Sequence, residues 1–218
     1  MLGHFGRLGN SMFQYASTLG IARRCDREAV CNLSAIPLFV ESFELGSVQD
    51  AIADPDLTYD ESSFSYFPIS EHVPEDKSVD LRGYFQSEKY FKDIENEVRQ
   101  NFTFKQHILD QAVAKNSYDW DVSVSVHVRR GDYTKIADHH HNQTVDYYTK
   151  ALEQFPYHRP VFFSDDISWC EKTFADVKNY PVFIKNEDTL NLSAAVNSDI
   201  SGYVDMCAMS LCNAHIIA

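Results

Sequence analysis

Positive charge is scarce in this sequence. Its 218 residues include 19 Lys and Arg against 32 Asp and Glu, which leaves a formal net charge of −13. Nucleic-acid binding draws most of its affinity from Lys and Arg that displace phosphate counterions, so we expect no nucleic-acid partner. Any phosphate contact must therefore be local and made by a few well-placed arginines.

Long apolar runs are also missing. No stretch approaches the roughly 20 apolar residues that a membrane helix needs, and no charged-then-apolar leader opens the chain. We therefore expect no membrane span and a cytoplasmic location. Without a leader, the N-glycosylation sequons are interpreted as chance matches; they lie at Asn32, Asn101, Asn142 and Asn191.

Paired cysteines and metal-binding spacings are lacking as well. The adjacent His139, His140 and His141 cannot easily converge on one ion, so we do not expect them to hold a metal cofactor. No C-x-x-C pair occurs, so free and mostly buried thiols in a reducing compartment are the simpler interpretation. The five cysteines are Cys25, Cys31, Cys170, Cys207 and Cys212.

The chain is long enough for one large domain or two small ones, and its composition is typical of a soluble globular protein. We place an N-terminal domain at residues 1–115 and a C-terminal domain at residues 116–218, with the junction near 112–120. The first domain opens with a glycine-rich loop and a helix for which Asn10 is a plausible N-cap. A later helical face is marked by Phe91, Ile94, Val98 and Phe102.

The C-terminal half alternates between strand, loop and helix patterns. The strand-like segments VSVSVHV, PVFFSDD, YPVFI and AHIIA are separated by the helix-like segments VDYYTKALEQF, ISWCEKTFADV and YVDMCAMSLC. Such alternation indicates a parallel sheet flanked by helices, which is an α/β fold.

The strand VSVSVHVRR carries the first candidate site. Its period of two puts His127 and Arg129 on one face and four valines, from Val122 to Val128, on the other. Ligands of open α/β sheets bind beyond the carboxyl ends of the strands, where Arg129, Arg130, Gly131 and Asp132 fall. Three alternatives stay open: a solvated strand end with Asp132 as the ion-pair partner, adhesion through the RGD tripeptide, and a core role for His127.

The strand VFFSDD carries the second candidate site. Ser164, Asp165 and Asp166 lie where this strand turns into a helix, again at the carboxyl end of the sheet. Ser164 or Asp165 could be an N-cap alone, or a carboxylate could accept hydrogen bonds from guanine or from a ribose hydroxyl.

The third candidate site is the loop of residues 6–10. Its backbone N–H groups at a helix N-terminus could face a phosphate or a sugar. The loop matches neither the P-loop nor the dinucleotide-binding pattern, so both of those interpretations fail.

Five motifs occur together in one order: GRLGNSMFQYA, LRGYFQSEKYF, HVRRGDY, FFSDD, and YVDMCAMSLC followed by AHIIA. Together they resemble the α-1,2-fucosyltransferases of glycosyltransferase family 11, in wording closest to the bacterial or viral members. The family usually has Gln where this chain has Ser11, and it continues into a Ser- and Trp-rich segment after AHIIA. Only five residues precede Gly6, and the chain stops within what should be a central strand, so we expect a fragment truncated at both ends.

The resemblance implies a GT-B-like architecture of two Rossmann-like halves with a nucleotide-sugar site in the cleft between them. Residues 1–115 would face the acceptor, and residues 116–218 would bind the GDP-sugar. The implied reaction is the inverting, metal-independent transfer of L-fucose from GDP-β-L-fucose to the 2-hydroxyl of a terminal galactose in a glycan. The resemblance leaves membrane association open.

Matching positions imply the roles of individual residues. Arg129, with Arg130 beside it, would grip the donor diphosphate and act in catalysis. Gly9 and Asn10 would close the donor site from the other domain. The nucleoside would lie by His127, Ser164, Asp165 and Asp166. A general base could be Asp132, Glu88 or His127.

Two other functions compete with this one. A fucosyltransferase that forms a different linkage would use the same donor site. A non-catalytic module that binds a nucleotide-sugar or a glycan would keep the site without turnover. Product formation separates the enzyme from the module, and linkage analysis separates the two enzymes.

Overall fold

The computed structural model describes residues 6–50, 54–115, 119–131, 142–185 and 200–217. The chain divides into two units, Met1–Lys105 and Gln106–Ala218. The division precedes helix Gln106–Ala114, which packs on a helix near the C-terminus within the second unit. Within the described ranges, every helix is too short or too polar to cross a membrane.

The first unit combines helices with two small parallel sheets. One sheet pairs β1 with β2, and the other pairs β3 with β4. The helices are α1 (Leu8–Arg24), α2 (Pro37–Ser42) and α3 (Glu95–Asn101), and the strands are β1 (Val30–Cys31), β2 (Gln49–Asp50), β3 (Leu57–Asp60) and β4 (Val79–Arg82).

Helix α1 is the longest element of this unit. Tyr15 and Leu19 are fully buried on its inner face, as their helical spacing predicts. The prediction that Asn10 caps the helix is wrong, because the helix begins at Leu8 and its N-cap position is Arg7. Asn10 is therefore inside the first turn.

Aromatic rings form much of the core around α1. Tyr15 contacts Phe39 and Phe102 with ring centroids 5.8 and 5.7 Å apart, and its hydroxyl donates to Asn101 Oδ1 at 2.7 Å. Phe102 follows α3, of which Val98 is buried. The predicted helical face is only partly correct, because Phe91 lies between two short 3-10 turns and Ile94 ends the second of them, before α3 begins.

The second unit is built on a four-stranded parallel sheet in the order β7, β6, β5, β8. The predicted parallel α/β sheet is thus confirmed. The helices are α4 (Gln106–Ala114), α5 (Val145–Leu152), α6 (Ile167–Thr173) and α7 (Ser201–Leu211), and the strands are β5 (Ser123–Val128), β6 (Arg159–Ser164), β7 (Val182–Phe183) and β8 (Ala214–Ile216).

Strand β5 is one of the two internal strands of this sheet, and all of its side chains except that of His127 are buried. Val124, Val126 and Val128 pack in one hydrophobic cluster with Phe162, Phe174 and the rings and side chains around them. On the other face Ser125 is fully buried, and its hydroxyl lies 2.9 Å from His215 Nδ1 on β8. The expectation that Val122 shares the valine face is wrong, because Val122 lies in a 3-10 turn and is 52% exposed.

The strand order places a switch point beside β5. The chain passes from β5 to β6 on one side and, after β7, returns to β8 on the other side of β5. Ligands of open parallel sheets bind in the crevice that such a reversal leaves at the carboxyl ends of the strands. We therefore expect a binding site at the residues that follow β5 and β6.

Candidate functional site

The ends of β5 and β6 bring the two predicted strand-end motifs together. The strands are parallel, and their register pairs Val128 with Ser164. Residues 129–131 after β5 consequently lie beside residues 165–166 after β6, as the sequence predicts for one edge of a sheet. The result is a cluster of two arginines and two aspartates.

The Asp165 carboxylate joins the two strand ends. Its Oδ1 accepts from the backbone N–H groups of Arg130, at 2.9 Å, and Gly131, at 3.1 Å. Its Oδ2 lies 2.7 Å from the Arg129 guanidinium. The two oxygens of this carboxylate therefore have separate roles, since one holds the loop and the other holds the arginine.

The neighbouring Arg130 has different partners. Its Nε lies 3.3 Å from Asp166 Oδ2, and its guanidinium stacks over the Trp169 ring at 3.8 Å from the centroid. Asp166 also caps α6, because its Oδ1 accepts from the Trp169 backbone N–H at 3.2 Å. The predicted N-cap at Ser164 or Asp165 is therefore wrong by one or two residues, and Arg130 is clamped to the start of α6.

Ser164 connects the same two strands through their backbone. Its hydroxyl donates to the Val128 carbonyl at 2.7 Å and accepts from the Asp166 backbone N–H at 2.9 Å. These bonds fix the distance between the last residue of β5 and the turn into α6. The Ser164 hydroxyl therefore stabilises the backbone of the site through two hydrogen bonds.

Steric crowding explains why the RGD tripeptide has glycine at position 131. A Cβ added at Gly131 would lie 2.5 Å from Asp165 Oδ2, closer than real Cβ contacts allow. Only glycine lets the carboxylate approach the loop backbone this closely. The glycine of this tripeptide is thus explained by its packing against Asp165.

His127 lies on β5 two residues before Arg129, opposite Phe163 in the register with β6, and is half-buried. Asp132, proposed above as a catalytic residue and as an ion-pair partner of the arginines, lies outside the described residues. So do His139, His140 and His141. Within the described ranges, the aspartates that pair with Arg129 and Arg130 are Asp165 and Asp166.

The glycine-rich motif meets a different motif within the first unit. Gly9 and Asn10 are in the first turn of α1, and Asn10 Oδ1 accepts from Gln86 Nε2 of the LRGYFQSEKYF motif. Ser17 on the same helix donates to the Phe85 carbonyl at 3.1 Å. Gly6 has φ +83°, and a side chain there would collide with Asn10.

The loop that carries Gln86 is held by a carboxylate. Glu61 Oε2 accepts from the backbone N–H of Tyr84 at 2.7 Å, and both Glu61 oxygens lie 3.1 Å from the N–H of Phe85. Glu88, a candidate general base, opens the 3-10 turn that follows. Motifs far apart in the sequence therefore form one local structure around the start of α1.

Two features of the site could not be predicted from sequence alone. The stacking of Trp169 on Arg130 depends on the direction in which α6 leaves the sheet, and Trp169 carries no motif. The contacts of Asp165 with the loop after β5 are made across two strands, so they could not be predicted, although its position at the carboxyl end of a strand did indicate a binding site.

In the described ranges no cluster of three or more His, Cys, Asp or Glu could hold a metal ion.

The strand order and the polar cluster at the carboxyl edge of β5 and β6 define an α/β protein with a candidate ligand site at the switch point of a parallel sheet. The model of glycosyl transferase family 11 matches residues 58–218, which include both strand-end motifs. The chain belongs to this family.

Curated relatives agree with this assignment. Galactoside 2-alpha-L-fucosyltransferase Sec1 of Mus musculus is 30% identical over 201 residues, which cover 83% of this chain and 53% of the relative. Alpha-1,2-colitosyltransferase of Escherichia coli is 33% identical over 148 residues, covering 65% and 48%. Galactoside alpha-(1,2)-fucosyltransferase 2 of Rattus norvegicus is 29% identical over 205 residues, covering 85% and 56%. The chain thus spans about half the length of these relatives. No solved structure matches it.

Proposed function

We propose that this chain is the donor-binding part of an enzyme that transfers L-fucose from GDP-β-L-fucose to the 2-hydroxyl of a terminal galactose. The observation that carries the proposal is the family match over residues 58–218. The names of the mouse and rat relatives add the galactoside acceptor and the position of the new bond. In this proposal the two units are the halves of a GT-B-like enzyme, with Gly9 and Asn10 contributed by the N-terminal half.

The proposed donor site is the carboxyl edge of β5 and β6. A guanidinium can bond two phosphate oxygens at once, so Arg129 suits the diphosphate of a nucleotide-sugar. We place the nucleoside near His127, Ser164, Asp165 and Asp166. The strand order supports this placement, because the site lies next to the switch point beside β5.

The proposed chemistry is a direct displacement with inversion. As the galactose hydroxyl attacks C1 of fucose, the bond from C1 to the diphosphate oxygen breaks and negative charge grows on that oxygen. A cation aimed at the leaving oxygen stabilises the transition state more than the ground state. Arg129 has this role in our proposal, and the reaction needs no metal; EDTA should leave turnover unchanged.

The proton of the attacking hydroxyl must be accepted by a base or by solvent. Asp132, Glu88 and His127 are the candidates. A transition state with oxocarbenium character depends only lightly on base catalysis, so replacing the base should cost less than replacing Arg129. Comparing Glu88→Gln and His127→Gln with Arg129→Ala tests that order.

The decisive assay incubates the chain with GDP-β-L-fucose and lactose and determines the linkage of any product by NMR. Our proposal predicts fucose attached α-1,2 to galactose. A different linkage would favour the second type of enzyme, and donor binding without product would favour a non-catalytic module. Because one relative is named for colitose transfer, the corresponding colitose donor belongs in the same assay.

A further inference from the structure

We propose that Asp165 is the positioning residue of the donor site and holds Arg129 in place for the diphosphate, while Arg130 is a structural clamp rather than a phosphate ligand. This inference rests on the proposed function. It replaces the simpler expectation that both aspartates face the nucleoside and both arginines face the phosphates.

The hydrogen bonds of Asp165 point inward, to the protein. Its Oδ1 receives two backbone N–H groups from the loop after β5, and its Oδ2 pairs with Arg129. Gly131 lies so close that a Cβ would have to displace the carboxylate. A carboxylate with three protein donors and a glycine packed against it is occupied by the loop and by Arg129.

Arg130 is held just as firmly, but elsewhere. Its guanidinium lies between Asp166 and the face of Trp169, and both of these residues belong to the start of α6. An arginine that pairs with a carboxylate and stacks on an indole is fixed in orientation. The tandem arginines therefore have different roles, because Arg129 pairs with the carboxylate that also holds the loop after β5, whereas Arg130 anchors α6 to the end of β5.

The negative charge of Asp165 allows a test of its positioning role, because removing the charge changes the affinity for a diphosphate in a direction that depends on that role. A negative charge beside an anion site weakens anion binding, so removing it should tighten the binding of a diphosphate if charge were its only influence. If Asp165 instead positions Arg129, the same removal should weaken binding. The two roles predict opposite changes.

Asp165→Asn separates the two roles of the carboxylate. The amide oxygen can still accept from the backbone N–H groups of Arg130 and Gly131, but the NH₂ group cannot accept from the guanidinium. The loop is retained and Arg129 is released. We expect the Kd for GDP to rise roughly tenfold, the size of one charge-assisted hydrogen bond, with little change in Tm.

The experiment is calorimetric titration of the 218-residue chain with GDP, for wild type, Asp165→Asn, Arg129→Ala and the double variant. In the Arg129→Ala background there is no guanidinium to position, so adding Asp165→Asn only removes a negative charge beside the anion site and should improve affinity. This reversal of sign is not expected from a general structural defect. Glu171→Gln is the control, since Glu171 is on α6 but pairs with Lys185 outside the site.

The possible results separate this inference from the proposed function. Wild type that binds GDP, with weaker binding in Asp165→Asn and the reversal in the double variant, supports it. Equal or tighter binding by Asp165→Asn overturns this inference alone. A folded wild type that does not bind GDP overturns the proposed function and this inference with it. If Asp165→Asn does not fold, Gly131→Ala displaces the carboxylate from the other side, and unweakened binding there overturns the inference.

Discussion

Arg129 and Arg130 are adjacent in the sequence but have different environments. Arg129 pairs with Asp165, which also holds the loop, and Arg130 pairs with Asp166 and stacks on Trp169. Successive residues after a strand point in different directions, so neighbours in the chain need not share a function. The strongest chemical prediction at the residue scale therefore concerns Arg129 alone.

Replacing Arg129 by Ala should lower kcat for fucose transfer on the order of 10²–10³-fold, the usual cost of losing one transition-state donor. Initial rates with saturating GDP-fucose and lactose measure this effect. Arg99→Ala is the matched control, because Arg99 is an exposed arginine of α3 that pairs only with Glu95 one turn earlier among the contacts described. Wild-type turnover in Arg129→Ala would contradict the role given to this residue.

The buried thiols predict how stability depends on pH. Burial raises the pKa of Cys31 and of Cys212 to about 12, above the ordinary value of 9.0. The thiols of the unfolded chain ionise first, so the unfolded state is favoured as pH rises from about 9 towards 12. Below pH 9 these groups should have no effect.

Urea denaturation at pH 8, 9 and 10 measures this dependence, and the midpoint should fall over the upper part of the range. Cys31→Ala should show a smaller fall than wild type, because one of the responsible groups is missing. A fall of equal size in both proteins would mean that Cys31 ionises in the folded state as readily as in the unfolded one.

Which residues reach the site was only partly predictable. Arg129, Arg130, Ser164, Asp165 and Asp166 are all placed at one edge by strand period and by the carboxyl-end rule, and the structure brings them together. Their pairing was not predictable, because Arg129 and Asp165 are far apart in the sequence and meet across two parallel strands. The sequence around one residue does not show which residue of a neighbouring strand it will contact.

At the scale of elements, Gly20 lets α1 pack directly against the backbone of Tyr90 and Phe91. A Cβ added at Gly20 would lie 2.2 Å from the Tyr90 carbonyl oxygen and 2.7 Å from Phe91 Cα. These are backbone atoms, which cannot move aside as a flexible side chain can. The helix and the 3-10 turns of the LRGYFQSEKYF motif can approach this closely only with glycine at position 20.

Gly20→Ala should accordingly destabilise the protein by about 1–3 kcal/mol, the usual cost of overpacking. Gly9→Ala on the same helix is the matched control, because nothing lies within 4 Å of its added Cβ. There the change should be neutral or stabilising by up to about 1 kcal/mol, since Ala is the better helix former. Urea denaturation of both variants compares them, and an equal effect would refute the close-packing argument.

The elements themselves were predictable where their pattern was regular. The parallel sheet of the second unit follows from alternating strand and helix patterns, and β5 from its period of two. The exact ends were not: α1 begins before Asn10, and α6 is capped by Asp166 rather than by Ser164 or Asp165. Helix ends depend on which side chain reaches an N–H group, a choice made by tertiary structure.

At the scale of the whole molecule, each unit has its own core and its own motifs. The first unit unites the glycine-rich motif with LRGYFQSEKYF around the start of α1, through contacts such as the one from Gln86 to Asn10. The second unites residues 129–131 with the SDD motif at the carboxyl edge of its sheet. The net negative charge is compatible with a donor site of this kind, because the proposed phosphate contacts are local.

The central claim is that the carboxyl edge of β5 and β6 binds GDP-fucose through Arg129. Calorimetric titration of the folded 218-residue chain with GDP-fucose, GDP-mannose and GTP, repeated with Arg129→Ala, tests it most directly. We predict binding that is selective for GDP-fucose and is much weaker, though still measurable, in Arg129→Ala. Binding without such selectivity, or equal binding by the variant, would contradict the claim.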